Sequence, residues 1–320
     1  MQVEYISALQ DAIKDIMLSD SSAILMGMNM SAGGNWGESY FLSDHISSKR
    51  IIDTPYSISS VLGAALGLAM SGAKPIVCVK GEYMLKAADT LANKIAINNY
   101  LTNGQYSSGM LIISELDISA QKGAEAVSAY ESIFAQMRGL DVICVSCAGD
   151  VKRVIKAAYE NERPTLVFIC TQNLKDSAEQ NDDTYTIGTA KVIREGNDVT
   201  VVTYGQAVSK VVDAAEEAYQ KGVSAEVIDL MTLSDIDIKT IEKSVMKTGR
   251  VIVVQDAPKS FGVCAEVISR IVESEAFFYL EENVLRICAK DEVVPYSGEL
   301  FEAFVPGKDE ILNGIIDLAE

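Results

Sequence analysis

The run Asp53-Thr54-Pro55-Tyr56-Ser57-Ile58-Ser59-Ser60 ends a short apolar stretch, turns through a proline and opens a Gly/Ala-rich helical stretch, Val61 to Met70. A strand-to-helix turn of this kind presents its central side chain to a cleft, where a carboxylate or hydroxyl can move a proton or attack a substrate. Here the central residue is Ile58, which does neither. Three more strand-to-loop junctions accompany it: Gly27-Met28-Asn29, Gly81-Glu82-Tyr83 and Gln121-Lys122-Gly123-Ala124-Glu125-Ala126. Such junctions gather at one end of a parallel sheet, where open α/β folds bind ligands. Other chemistries find no support. There is no G-x-x-x-x-G-K-[ST] loop, no G-x-S-x-G elbow and no H-E-x-x-H. The single histidine, His45, excludes a multi-histidine metal site. Gly149-Asp150 is followed by Val151, so a Gly-Asp-Gly motif for a magnesium diphosphate is missing. Cys144-Val145-Ser146-Cys147 is a C-x-x-C, but a redox pair should open a helix after a strand and a zinc site needs two further ligands. The six cysteines read as small buried hydrophobes in a reducing compartment.

The elements that must position these junctions follow from periodicity. A helical spacing runs from Val3 to Leu18, with Ile6, Leu9, Ile13, Ile16 and Met17 on one face. Strands are predicted at Ala23–Met26, Ile51–Asp53, Pro75–Val79, Gly109–Ile113, Val142–Val145 and Thr165–Ile169. The helix Val61–Met70 is apolar nearly all round and is expected to be buried, with Gly63 and Gly67 allowing close approach of another backbone and Gly72 as its cap. Trp36, in a glycine-rich loop, is expected to pack on something. The polar run 171–186 reads as a linker. Beyond it the alternation resumes. Strands fall at Val199–Tyr204, Ala225–Leu230, Val251–Val254 and Val284–Cys288. Helices fall at Ala207–Gln220, around Cys264–Ile271 and at Glu310–Leu318. The fold class is α/β with two domains, 1–183 (its linker beginning near 171), a mainly parallel sheet with helices on both faces, and 184–320, a smaller α/β domain. A net charge of −18, from 45 acidic and 27 basic residues, argues against nucleic acid and anionic membranes as partners. No run is long enough for a membrane span and no signal pattern opens the chain, so a cytoplasmic location is expected.

Several stretches together resemble the beta subunit of thiamine-diphosphate-dependent 2-oxo acid dehydrogenases (pyruvate, branched-chain and acetoin types), a relative of the C-terminal half of transketolase. They are "ILMG" at 24–27, "RIIDTPYSIS" at 50–59, "GAALGLAMSGAKPIV" at 63–77, "ADTLANKIA" at 88–96, "NYLTNGQ" at 99–105 and "ESIFAQMRGLDVI" at 131–143. "REGNDVTVVTYG", "AEVIDLMTL", "KTGRVIVVQDAP" and "VPYSGELFEAFVP" carry it through the second half. The resemblance implies a pyrimidine-binding domain followed by a transketolase C-terminal-type domain. It also implies an alpha-type partner in a two-alpha, two-beta heterotetramer, with beta–beta self-association. Thiamine diphosphate with magnesium would lie between this chain and the alpha chain, which holds the diphosphate and the metal. The beta chain would hold the aminopyrimidine ring, and its glutamate would protonate a ring nitrogen.

Against that pattern the sequence departs at three junctions. Alignment on Asp53-Thr54-Pro55 and Gly63 places Ile58 on the family's glutamate. The family's Gly-Glu-Asp after the first strand is Gly27-Met28-Asn29 here, and the histidine of its fourth loop falls on Ala126. The aromatic that packs on the aminopyrimidine is kept as Tyr83. The cofactor-contacting positions are therefore Tyr83, Ile58, Met28 and Asn29, with no catalytic group intact and no metal ligand. Two readings stay open: a working beta subunit with altered decarboxylation or acyl-transfer chemistry, and a silent beta-like subunit with a structural or regulatory role.

Overall fold

The computed structural model describes residues 1–118, 123–126 and 129–320, with the side chain of Ala126 excepted. Gln121 and Lys122 of the fourth junction lie outside the described residues. Two compact units result. One comprises Met1–Asp117 and Ile133–Ile187, the other Ile118–Ser132 and Gly188–Glu320. The segment 118–132 thus groups with the second unit, although it sits in sequence amid the first.

In chain order the elements through residue 187 are β1 (Gln2–Glu4), α1 (Tyr5–Ser19), β2 (Ala23–Gly27), β3 (Ile51–Asp53), α2 (Ile58–Met70), β4 (Lys74–Val79), α3 (Ala88–Thr90), α4 (Asn98–Leu101), β5 (Leu111–Leu116), α5 (Glu131–Ala135), β6 (Asp141–Val145), α6 (Val151–Glu160), β7 (Thr165–Cys170) and β8 (Ser177–Glu179). Six strands form a parallel sheet in the order β3-β2-β4-β5-β7-β6. β5, β6 and β7 are buried at every position, which is why they read as continuous apolar runs rather than alternating ones. α1 buries the stripe Tyr5, Leu9, Ile13, Ile16 and Met17. The Tyr5 hydroxyl donates to the carbonyl of Val145 at 2.7 Å, fixing the helix against the end of β6.

Two expectations need correction here. The polar run 171–186 is no free linker, because it contains β8, which pairs antiparallel with β1 through Val3 opposite Ala178. Such edge pairing runs on backbone hydrogen bonds, so apolar patterning does not betray it. Nor is α2 buried all round. Ile58, Val61, Leu62, Ala65 and Ala69 face the core, while Gly63, Ala64, Gly67 and Met70 are exposed. Beyond the neighbouring turns of α2 itself, no atom of the described residues comes within 4 Å of a Cβ built on Gly63 or Gly67. Residue size explains the miss: a helix of Gly and Ala looks apolar everywhere, yet buries only the face that carries its larger side chains.

The second unit's sheet runs β13 (Leu285–Ala289), β12 (Val251–Pro258), β10 (Val199–Thr203), β11 (Ala225–Asp229), β9 (Lys191–Arg194), with only the edge strand β9 antiparallel. Its helices are α7 (Ala207–Gln220), α8 (Ile238–Thr248), α9 (Val263–Glu273), α10 (Gly298–Glu302) and α11 (Lys308–Ala319). α7 and α11 cover one sheet face with Val199, Val201, Val227, Ile252 and Val254. Strand residues alternate between faces, so Thr200, whose hydroxyl bonds Ser244 and Thr248 of α8, lies on the other. α8 and β9 are not expected from apolar patterning. α8 declares itself through its ends instead: the Asp237 carboxylate caps the Thr240 amide at 3.2 Å, and Gly249 stops the helix at φ 68. No helix among the described residues is long and apolar enough to cross a membrane.

Candidate functional site

The carboxyl edge of the first sheet is where the junctions meet. β3, β2 and β4 are neighbours, and they deliver respectively Ile58 (at the start of α2), Met28-Asn29 and Glu82-Tyr83. A loop of residues 28–41 crosses this edge and is tied to each strand in turn. Asn29 starts it in the left-handed region at φ 53. The Ser31 amide donates to Asp53 at the end of β3 at 2.9 Å, and its hydroxyl bonds the same carboxylate. The Asn35 amide reaches the Cys78 carbonyl on β4 at 3.5 Å. Trp36 Nε1 donates to Glu115 on β5. Within the loop the buried Glu38 carboxylate gathers the amides of Asn35 (3.0 Å) and Trp36 (2.7 Å). Burial nonetheless pushes the Glu38 carboxyl upward.

Asp53 shows the opposite effect. Hydrogen bonds from the Ser31 side chain, then its backbone, hold it below the ordinary carboxylate range. A depressed carboxylate contributes stability that is present above its unfolded value and lost as pH falls through the folded one. Ser31→Ala removes the hydroxyl bond and keeps the amide, so it is expected to move Asp53 part of the way back to the ordinary range and to reduce the acid-side slope of the stability curve. An NMR titration of the Asp53 carboxyl checks this, and an unchanged midpoint would show that Ser31 is not the cause.

The expected site residues have distinct surroundings. Ile58 is 5% exposed and Met28 8%, so both hydrocarbons are folded into the protein. Met30, also buried, puts its Cε and Sδ where a Cβ on Gly27 would stand. Asn29 is exposed. Tyr83 is half-buried, with Tyr56 edge-on at 5.2 Å between ring centroids and the Lys86 ammonium 4.9 Å over its ring. A hydrogen bond with Glu82, and then partial burial, push the Tyr83 phenol up to about 12. Ser59 donates to the Lys86 carbonyl at 2.9 Å, pinning the start of α2 to the turn that carries Tyr83. Ala126 ends a 3-10 turn, Ala124–Ala126, in the segment grouped with the second unit, and its side chain lies outside the described residues. The structure therefore brings Met28, Asn29, Ile58 and Tyr83 to one edge, while Ala126 belongs to the other unit.

Sequence reading passed over Glu115, Glu38 and the tether at Trp36. The signal for Glu115 is a lone acid inside the apolar run Leu111–Leu116, since buried strands hold a charge only where it has a partner. The C-x-x-C resolves as free thiols, Cys144 buried and Cys147 half-buried. Gly149 serves packing: its carbonyl accepts from Asn181 at 2.9 Å, and the neighbouring Asp150 is bound by Arg153 at 2.7 Å.

An aminopyrimidine ring that must be protonated needs an acid aimed at it. Ile58 offers no acid at the head of α2, Met28 offers none at the end of β2, and Tyr83 has a lysine over its face. Tyr83 could still border an aromatic ring, but the proton-handling half of the site does not fit an activated thiamine diphosphate.

Comparison with known proteins defines the class. Residues 1–177 match the family "Transketolase, pyrimidine binding domain", and residues 188–311 match "Transketolase, C-terminal domain". A solved structure described as "Split gene transketolase, inactive beta4 tetramer" superposes with a TM-score of 0.80 over 99% of this chain and 100% of that one. At 16% identity this likeness speaks for the fold alone. The sequence is 32% identical over 318 residues to the pyruvate dehydrogenase E1 component subunit beta of Bacillus subtilis (strain 168), covering 98% of this chain and 97% of the relative. It is 30% identical over 321 residues to the same subunit of Gracilaria tenuistipitata var. liui, covering 98% of each. The chain belongs to the transketolase-type family that pairs these two domains, in the branch of the pyruvate dehydrogenase E1 beta subunits.

Proposed function

We propose that this chain is a beta-type subunit that assembles with an alpha-type chain and with a second copy of itself in a heterotetramer, in the cytoplasm. Its pyrimidine-type domain ends at 183 and its C-terminal-type domain begins at 184. Full-length similarity to beta subunits supports the role. The uncovered face of α2, where Gly63, Ala64 and Gly67 leave room for another backbone, supports assembly.

For the site, one observation favours the silent reading over the working one. Ile58, on the position of the activating glutamate, is buried hydrocarbon, and so is Met28. Removing a positioned proton-transfer group costs about 10²–10⁴-fold in rate. Apolar filling does more than remove an acid, because it favours the edge packed as it stands. The subunit then serves as scaffold or regulator of its partner, and magnesium and thiamine diphosphate, if present in the assembly, depend on the alpha chain. Titration of magnesium thiamine diphosphate into the co-expressed alpha–beta complex, followed by calorimetry, tests this. Absence of binding is the expected result. Tight binding with turnover of any 2-oxo acid would overturn the silent reading and leave the altered but working subunit.

A further inference from the structure

In the second unit the carboxyl ends of β10 and β12 lie side by side, and their chains leave in opposite directions. β10 leads into α7 on one sheet face. β12 leads into α9, which packs with α8 on the other. Where adjacent parallel strands part in this way, a crevice opens at the edge of the sheet. That crevice is filled from elsewhere in the chain. Glu131, from the segment 118–132, is 1% exposed and receives a hydrogen bond from the Tyr204 hydroxyl at the end of β10, 2.6 Å from its Oε1. The Tyr204 hydroxyl lies 3.5 Å from Gln255 Oε1 on β12, which in turn accepts the Cys264 amide of α9 at 2.9 Å. The other carboxyl oxygen, Glu131 Oε2, is buried without a hydrogen-bond partner.

We propose that Glu131 is a positioning residue for the fourth strand-to-loop junction: seated on Tyr204 as a neutral carboxylic acid, it holds the end of the segment 118–132 in the crevice between β10 and β12. The geometry favours the neutral form, since burying a carboxylate charge with one oxygen unpartnered costs more than burying an unpaired neutral hydroxyl. The surrounding charges agree. Asp256 of β12 is a second acid acting on Glu131. Lys210 of α7 is committed to Asp256 at 3.1 Å and to the Pro306 carbonyl at 3.4 Å, and Arg286 of β13 acts on Cys264. The Cys264 thiol of α9 is itself buried and pushed upward, so it adds no charge at neutral pH. Burial raises the Glu131 carboxyl and outweighs the hydrogen bonds from Tyr204 and from its own amide, which act the other way; Asp256 adds a smaller push upward. An apolar anchor serves the same segment independently. Ile118 at its start packs with Ala289 and Phe304, and Ala129 near its end joins that cluster. Glu131 therefore adds a pH-dependent hold to one that pH does not touch.

The sign follows from linkage. The seated state binds the proton more tightly than the released one, so the hold is complete below the ordinary carboxylate range. It weakens as pH rises from that range through the raised value, by about tenfold per pH unit, and is constant above it. Infrared spectroscopy at neutral pH is expected to show a buried protonated-carboxyl band that Glu131→Gln removes. Hydrogen exchange of the 129–135 backbone, corrected for intrinsic rates, should accelerate with rising pH in the parent chain. In Glu131→Gln, which mimics the neutral acid, it should stay protected at every pH. Tyr204→Phe leaves the carboxyl in place and should shift its band upward and loosen 129–135 at least tenfold at acid pH, so the test survives if the glutamine variant does not fold. A band unaffected by either variant, or exchange in Glu131→Gln that tracks the parent across pH, would overturn the proposal.

Discussion

Ile58→Glu is expected to lower the folding stability by about 2–3 kcal/mol and to restore no 2-oxo acid turnover. The stability loss has two sources. An isoleucine 5% exposed gives up its burial, a change of about 2–5 kcal/mol when such side chains are truncated in cores. The incoming carboxylate must also either stay protonated or force its way to water. A partial offset comes from position. Residue 58 is the first of α2, where the helix dipole favours an acid by about 0.3–1 kcal/mol. On the proposed assignment Met28 and Ala126 still occupy the family's polar positions, so family-level activity is not expected to return. Urea unfolding of parent and variant gives the stability difference, and an assay of the complex with its alpha-type partner gives the rest. Turnover at family-like rates from this one change would refute the view that the pocket is altered as a whole.

Gly149→Ala should cost about 3 kcal/mol, at the upper end of what overpacking a core does. A Cβ on Gly149 would lie inside the contact distance of the Glu179 carbonyl oxygen, a backbone atom that cannot swing aside. Relief requires β8 to move, yet β8 pairs with β1, and Asn181, two residues beyond it, bonds its amide back to the Gly149 carbonyl. The urea midpoint should fall while the slope with denaturant stays unchanged. A loss below about 1 kcal/mol would show that β8 yields easily. The sequence offers Gly149-Asp150 as the start of a diphosphate motif that then fails at Val151. In the structure the glycine is there for the closeness of one backbone to another, and the acid is there for Arg153.

These two sites illustrate what the sequence makes legible. Buried parallel strands leave mostly apolar runs, so β6, β7, β10 and β11 can be placed to within a residue, β5 runs on past its expected end through Ser114 and Glu115, and α7 is bounded by its periodicity and by Gly222. Elements held by backbone or by capping, β1, β8, β9 and α8, leave no such run and stay hidden. For the candidate site, Met28, Asn29, Ile58 and Tyr83 can be assigned to one sheet edge because each follows a recognisable strand. The ties that close that edge, Ser31 to Asp53 and Trp36 to Glu115, join residues 22 and 79 positions apart and have no local signature. The grouping of 118–132 with the second unit is hidden for the same reason: Glu131 and Tyr204 are 73 positions apart.

That last grouping bears on how such a chain can be recombined. The two family domains, 1–177 and 188–311, look like interchangeable halves. Yet Ile118, Ala129 and Glu131 are inherited with the first half and make their contacts on the second, through Ala289, Phe304 and Tyr204. A chimera that takes its second half from a relative must match those three contacts or leave an apolar pair and a buried acid without hosts. Exchange within this family is therefore constrained by a fifteen-residue stretch that no boundary between the domains would reveal.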